Sequence, residues 1–148
     1  MTQMADFADK LGEIMPTIMK EFARCVVHDF ESKISLPQRF IMEFLDRNQG
    51  SKMKDLARFM NVTTAAATGI IERLVRDGYV VRVFDPNDRR IIRVRLTSKG
   101  SELVKRFDRQ RRLTVIRVFG KISEKDREDY LRILGQIKDA LLNAKAEE

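Results

Sequence analysis

The sequence predicts a mainly α-helical fold that carries one short β-hairpin. Three observations predict it. Apolar residues recur every three or four positions through most of the chain, the period of a helix with one buried face. Capping patterns and glycine stops cut that periodic pattern into segments of helix length. After Tyr79 the pattern changes to alternation on either side of the dense turn Asp85-Pro86-Asn87-Asp88, as expected for two paired strands.

Met4, Phe7, Leu11, Ile14, Ile18, Phe22 and Val26 make one apolar stripe, with Asp6, Asp9, Glu13 and Glu21 off its line. This is a long first helix, or a short helix ending near Met15 with Pro16 in the first turn of the next. Ser35-Leu36-Pro37-Gln38 has the S-x-x-Q spacing in which serine and glutamine satisfy each other's orphan backbone donors. It opens a helix through Ile41, Phe44 and Leu45 that Asn48-Gln49-Gly50 stops. Ser51 is the expected cap of a short helix containing Met53, Leu56, Ala57 and Met60, and Thr63 the expected cap of the next. Two short helices joined by Asn61-Val62 are a helix-turn-helix candidate.

In the second of these helices Ala67, Ile70, Ile71 and Leu74 share a face, which leaves Thr64, Ala65, Thr68, Gly69 and Glu72 on the other. Gly78 closes it. In the hairpin, Val81 and Val83 alternate with Arg82, then Ile92, Val94 and Leu96 with Arg93 and Arg95, so the expectation is arginine on the outer face. Thr97-Ser98-Lys99-Gly100 leads into a helix that Gly120 ends, and Ser123 with Asp126 restarts a last one carrying Tyr130, Leu131, Leu134, Ile137, Leu141 and Leu142. Helices at both ends enclosing a helix-turn-helix and hairpin give a winged-helix plan, without internal repeats or low-complexity linkers.

The 148 residues, 43% of them apolar, suffice for one compact core without disulfide or metal staples. The formal charge of +7 is unevenly spread: −2 over residues 1–50, +6 over 51–100 and +3 over 101–148. A basic middle third containing the helix-turn-helix and hairpin points to an anionic partner. The single cysteine, Cys25, cannot close an intramolecular disulfide, and the opening residues carry acids where a secretory signal has cations, so the expectation is a cytoplasmic chain. Charges interrupt every hydrophobic run, which argues against a membrane span. One histidine and one cysteine cannot build a His/Cys-rich metal site, no phosphate loop or catalytic triad is visible, and neither a cofactor nor an enzyme is expected.

In Leu56-Ala57-Arg58-Phe59-Met60-Asn61-Val62-Thr63, in Ile70-Ile71-Glu72-Arg73-Leu74-Val75-Arg76-Asp77-Gly78-Tyr79-Val80, and above all in Asp85-Pro86-Asn87-Asp88-Arg89-Arg90 followed by Leu96-Thr97-Ser98-Lys99-Gly100, the chain resembles the MarR family of winged-helix transcription regulators, and the resemblance extends across nearly its whole length. It implies a single domain over residues 1–148, with a DNA-binding core over 35–100 and dimerisation helices over 1–34 and 101–148. It further implies a homodimer, commonly a repressor, bound to a pseudo-palindromic duplex operator and often released by a small ligand or oxidant. Arg90 matches the family position whose side chain enters the minor groove, and Asp88 the position that steadies it.

The chemistry of the residues fits. The Thr63 end of the second helix offers unpaired N–H groups to phosphate, while Thr64, Ala65, Thr68 and Gly69 face outward to read bases. Arg73, Arg76 and Arg58 are placed to reach phosphates, although Arg73 equally fits a structural ion pair. Arg89, Arg93 and Arg95 are either DNA contacts or a solvated strand face. The outward face carries none of the Arg, Asn or Gln side chains that make bidentate base contacts, so readout shifts toward thymine methyls and DNA shape. An effector pocket between the terminal helices and the winged helix would draw on Met15, Met19, Phe22, His28 and Phe40, although such a stripe is more often core. Cys25, on the first long helix beside apolar neighbours, reads as a buried, unreactive thiol. The rival reading is a winged helix used as a protein-interaction module, its basic wing on an acidic partner, which salt-dependent binding to duplex DNA would separate.

Overall fold

The computed structural model describes residues 2–27 and 34–144. Among the described residues nine elements follow in order: α1 (Thr2–Val27), α2 (Leu36–Arg47), β1 (Ser51–Lys52), α3 (Met53–Met60), α4 (Thr64–Arg76), β2 (Val80–Phe84), β3 (Ile92–Leu96), α5 (Ser98–Phe119) and α6 (Glu124–Ala144). They fall into two compact units, one ending at Gln110 and one beginning at Arg111.

In the first unit, α2, α3, α4, the sheet and the first half of α5 enclose one core. Ile41, Met42 and Leu45 from α2 meet Leu56 from α3, Ile71 and Leu74 from α4, Val80 and Val94 from the strands, and Leu103, Val104 and Phe107 from α5. Removing each such side chain from water is worth roughly 1.5–3 kcal/mol, so this cluster holds the helix-turn-helix and its wing in one frame. Arg39 is buried with it. Its Nε donates to Glu43 at 2.8 Å and its guanidinium lies 4.6 Å from the centre of the Phe107 ring, which keeps the charge partnered inside the packing.

Local hydrogen bonds set the element ends. Ser35 and Gln38 form the capping box expected at α2. At α3 the expected cap is corrected: Lys52 is the N-cap residue, its N–H donating to Asp55 Oδ2 at 3.2 Å, while Ser51 Oγ donates to the Asn48 carbonyl. Ser51 is drawn off because Ser51–Lys52 pairs with β3 as a third strand, giving the order β1-β3-β2. A two-residue strand has no periodicity to reveal it in sequence. α1 runs through Pro16 as one helix, so the proline costs only the bond that its missing N–H would have made to the Gly12 carbonyl.

The hairpin meets the expected alternation in β3, with Arg93 and Arg95 on the outer face, but not in β2. Val80 pairs with Leu96, Val81 with Arg95, Arg82 with Val94, Val83 with Arg93 and Phe84 with Ile92. Directly paired residues share a face, so Arg82 lies on the side of Val80 and Val94, and Val81 and Val83 join Arg93 and Arg95 outside. The burial of Val80 on one strand and of Val94 on the other decides this.

Gly100 allows the wing to close onto α5. A Cβ there would lie 2.1 Å from the Tyr79 carbonyl oxygen, far inside contact distance. Thr97 completes the junction: its hydroxyl donates to the Gly78 carbonyl at 2.7 Å and accepts the Gly100 N–H at 3.0 Å. The Leu96-Thr97-Ser98-Lys99-Gly100 string is therefore a steric and hydrogen-bonding requirement of a strand turning into a helix.

In the second unit, Ser123 accepts the Asp126 N–H to start α6, and Arg127 Nη1 donates to the Ile122 carbonyl at 2.7 Å. The Phe119 and Tyr130 rings lie 5.5 Å apart. Along α6 Leu131, Ile133, Leu134, Ile137, Leu141 and Leu142 are all exposed, as are Met4, Phe7, Leu11, Ile14, Met15, Ile18 and Met19 on α1. Two long helices thus carry apolar stripes that the single chain leaves open to water.

Candidate nucleic-acid interface

The turn between α3 and α4 is built on Asn61, whose backbone is left-handed (φ 52°), a conformation asparagine tolerates better than most residues. Val62 N–H returns to the Ala57 carbonyl at 3.0 Å, which ends α3 sharply. Thr63 then caps α4 by accepting the Ala66 N–H at 3.2 Å. The remaining N–H groups of the first turn, with the positive end of the helix dipole, point out of the structure where an anion can reach them.

On α4, Ala67, Ile71 and Leu74 are buried, while Thr63, Thr64, Ala65, Gly69, Arg73 and Arg76 are exposed and Thr68 is half-exposed. The structure thus brings the sequence-predicted α4 residues onto one outward surface. Thr68 has its hydroxyl proton committed, since Oγ1 donates to the Thr64 carbonyl at 2.8 Å. What remains of Thr68 for a ligand is its methyl group and the two acceptor lone pairs of its hydroxyl oxygen. Beside Gly69 there is open space, with no atom within 4 Å of where a Cβ would sit.

The wing supplies the charge. The Arg90 side chain is 94% exposed and pairs with Asp88, whose Oδ1 accepts the Arg90 backbone N–H at 3.0 Å and Nε at 3.4 Å. Asp88 and Arg90 are thus together at the tip, with Arg89 exposed beside them. Arg82 lies 4.0 Å from Glu72 on α4, a loose pair across the wing and helix. Arg93 is committed elsewhere: its Nε donates to Asp85 Oδ2 and its Nη1 to the Gly50 carbonyl at 2.8 Å.

Sequence reasoning took Asp85 for a turn residue alone and left Arg93 between two roles. Asp85 is buried at the end of β2, where Oδ1 accepts the backbone N–H groups of Asn87 at 2.9 Å and Asp88 at 3.3 Å. The Asn87 N–H first, and the Arg93 guanidinium second, hold its carboxyl below the usual carboxylate range against the opposing effect of burial. The available signal was a second acid in Asp85-Pro86-Asn87-Asp88 with an arginine eight residues on, but the Gly50 partner lies 43 residues away.

Of the residues named for an effector pocket, Met15 and Met19 are exposed on α1, Phe22 is half-buried further along it, and Phe40 is exposed on α2. His28 lies outside the described residues, as does the side chain of Cys25. Among the described residues no cluster of His, Cys, Asp and Glu could hold a metal ion, and no helix is long and apolar enough to cross a membrane.

A helix-turn-helix with a capped outward helix, followed by a hairpin with an arginine at its tip, defines a winged-helix protein. Residues 34–92 match the model of the MarR family. The chain is similar to the HTH-type transcriptional regulator FarR of Neisseria gonorrhoeae, at 31% identity over 75% of this chain and 78% of that protein. It is 30% identical to the HTH-type transcriptional repressor YetL of Bacillus subtilis over 59% of this chain and 52% of the repressor. Among solved structures, Streptococcus pneumoniae FabT in complex with DNA superposes with a TM-score of 0.82 over 92% of this chain and 98% of that one, at 20% identity. The chain belongs to the MarR family of winged-helix transcription regulators.

Proposed function

We propose that this regulator is a homodimeric repressor of a pseudo-palindromic operator. Each protomer lays the outward face of α4 in the major groove and reaches the adjacent minor groove with Arg90. The observation that carries the reading is the wing tip: a guanidinium almost wholly exposed to solvent and held at its base by Asp88. Such a cation suits a narrow minor groove, where negative potential is concentrated. The Thr63 end of α4, with Arg73 and Arg76 exposed along it, supplies phosphate contacts, and Thr64, Ala65, Thr68 and Gly69 meet base edges as a surface of methyl groups and close backbone.

Two-fold symmetry follows from the uncovered stripes of α1 and α6, which a second copy would bury over residues 1–34 and 101–148, and a symmetric dimer reads a symmetric site. Repression, the role borne by YetL's name, would follow from occupying such a site. A small apolar ligand lodged against Met15, Met19, Phe22 and Phe40 would then shift α1 relative to α2 and change the spacing of the two α4 helices.

Selection of bound sequences from random duplex DNA tests the proposal. The expected product is an inverted repeat whose half-sites are centred about 10–10.5 base pairs apart, with affinity falling steeply with salt. Recovery of unselected sequence, with binding instead to an acidic protein partner, would overturn it in favour of an interaction module.

A further inference from the structure

We propose that Asp85 and Arg93 are positioning residues for DNA recognition: together they buckle the wing to the loop between α2 and α3 and so fix where Arg90 meets the groove. The inference rests on the DNA-binding reading above and concerns the same surface. A hairpin tip has little packing of its own, and Arg90 is almost wholly solvated, so its position cannot come from a core. It comes from a continuous run of hydrogen bonds. The Gly50 carbonyl accepts Arg93 Nη1, Arg93 Nε donates to Asp85 Oδ2, and Asp85 Oδ1 accepts the Asp88 N–H. Asp88 Oδ1 in turn accepts the Arg90 backbone N–H.

The far end of this run is anchored. Gly50 is buried, holds a left-handed backbone (φ 77°) that favours glycine, and donates its own N–H to the Val94 carbonyl at 3.1 Å. The same loop is tied to β3 again where the Leu96 N–H donates to Gln49 Oε1 at 3.2 Å. The guanidinium fork is what permits the link, because two differently directed N–H groups must reach a carboxylate and a carbonyl at once. Lysine, with the same charge, offers no fixed fork.

The sign of one substitution separates positioning from simple charge. Removing an acid from a surface that faces phosphate strengthens binding if electrostatics alone matters. Positioning requires the opposite: Asp85→Ala should weaken binding, because the wing loses its register against α4. The second separation is coupling. Arg90→Ala should cost about tenfold or more in the parent and less than about twofold in the Asp85→Ala background, since a guanidinium already out of place has little left to lose.

The experiment is fluorescence anisotropy at one fixed salt concentration, on a duplex selected with the parent protein, for the parent, Arg90→Ala, Asp85→Ala, the double variant and Arg93→Lys. Arg93→Lys keeps the charge and leaves the Asp85 turn bonds in place, so it reports on the fork even if Asp85→Ala folds poorly. The expected result is a loss for Arg93→Lys comparable to that for Asp85→Ala. Equal costs of Arg90→Ala in both backgrounds, tighter binding by Asp85→Ala, or parental binding by Arg93→Lys would overturn the inference while leaving DNA binding intact. A parent that selects no duplex would overturn the DNA reading itself.

Discussion

Two glycines of this chain have opposite reasons to be there. Gly100 sits where a Cβ would strike the Tyr79 carbonyl, so Gly100→Ala should destabilise the fold by about 1–3 kcal/mol as strand and helix are forced apart. Gly69 has open space around it in mid-helix, and Gly69→Ala should stabilise by about 0.5–1 kcal/mol by restricting the unfolded backbone. Thermal unfolding of the two variants checks both signs. Among the arginines, Arg90→Ala should weaken operator binding more than Arg95→Ala, because Arg90 is almost wholly exposed at the tip while Arg95 lies along the outer strand face beside Gly50. Titrations of both at one salt concentration decide this, and equal negligible losses would refute the role given to the wing. Asp85 adds a pH signature. Its carboxyl is held below its ordinary value, so its contribution is fully present above that value and is lost as pH falls through the lower, folded-state one. The parent should therefore be more stable than Asp85→Asn at neutral pH, and their unfolding curves should converge only below about pH 4.

Helix α4 is defined as much by what it lacks as by what it carries. Its outward surface offers methyl groups, a glycine and, toward its end, Arg73 and Arg76, with the Thr68 hydroxyl proton spent on the helix's own backbone. Specificity on such a face is low in hydrogen bonds, so placing a fork there should create one. Gly69→Arg should add a guanine preference of roughly 1–3 kcal/mol at one position per half-site, read as a changed motif after selection from random duplex DNA. An unchanged motif would mean that this face does not meet the bases. The α3–α4 pair was legible in the residues because Thr63, Asn61 and the Ala67-Ile71-Leu74 face act within one or two helical turns. The wing was half legible: its turn and strands were plain, its inner and outer faces were not.

For the whole molecule, the stripes of α1 and α6 leave a series of apolar side chains exposed to water in the single chain. Phe7 is 58% exposed and Leu141 64%, and nothing in the described residues of one protomer covers them. Sedimentation at micromolar concentration should show a dimer, and Phe7→Asp combined with Leu141→Asp should shift it to monomer while leaving the winged-helix core folded. Operator affinity should fall with it, since two linked half-sites bind far more tightly than one. A parent that sediments as a monomer would remove the two-half-site model.

The residues by themselves determined most of the helices and the caps of α2, α4 and α6, since each of those signals is a contact between positions three or four apart, complete before any tertiary contact forms. They also determined the turn at Asp85 to Asp88, whereas the need for glycine at position 100 comes from the Tyr79 carbonyl that folding brings against it. Only the tertiary structure decided which side of the hairpin faces the core. Val80, Val81 and Val83 are all apolar, and a shift of one residue reverses every side chain, so the choice fell to Val80 against Leu96 and to the burial of Val94. The same is true of β1, of the capping role passed from Ser51 to Lys52, and of Arg93, whose partner is a backbone carbonyl 43 residues earlier. Such a bond leaves no pattern in the chain, because a carbonyl is present at every residue and only folding brings one particular carbonyl to one particular guanidinium.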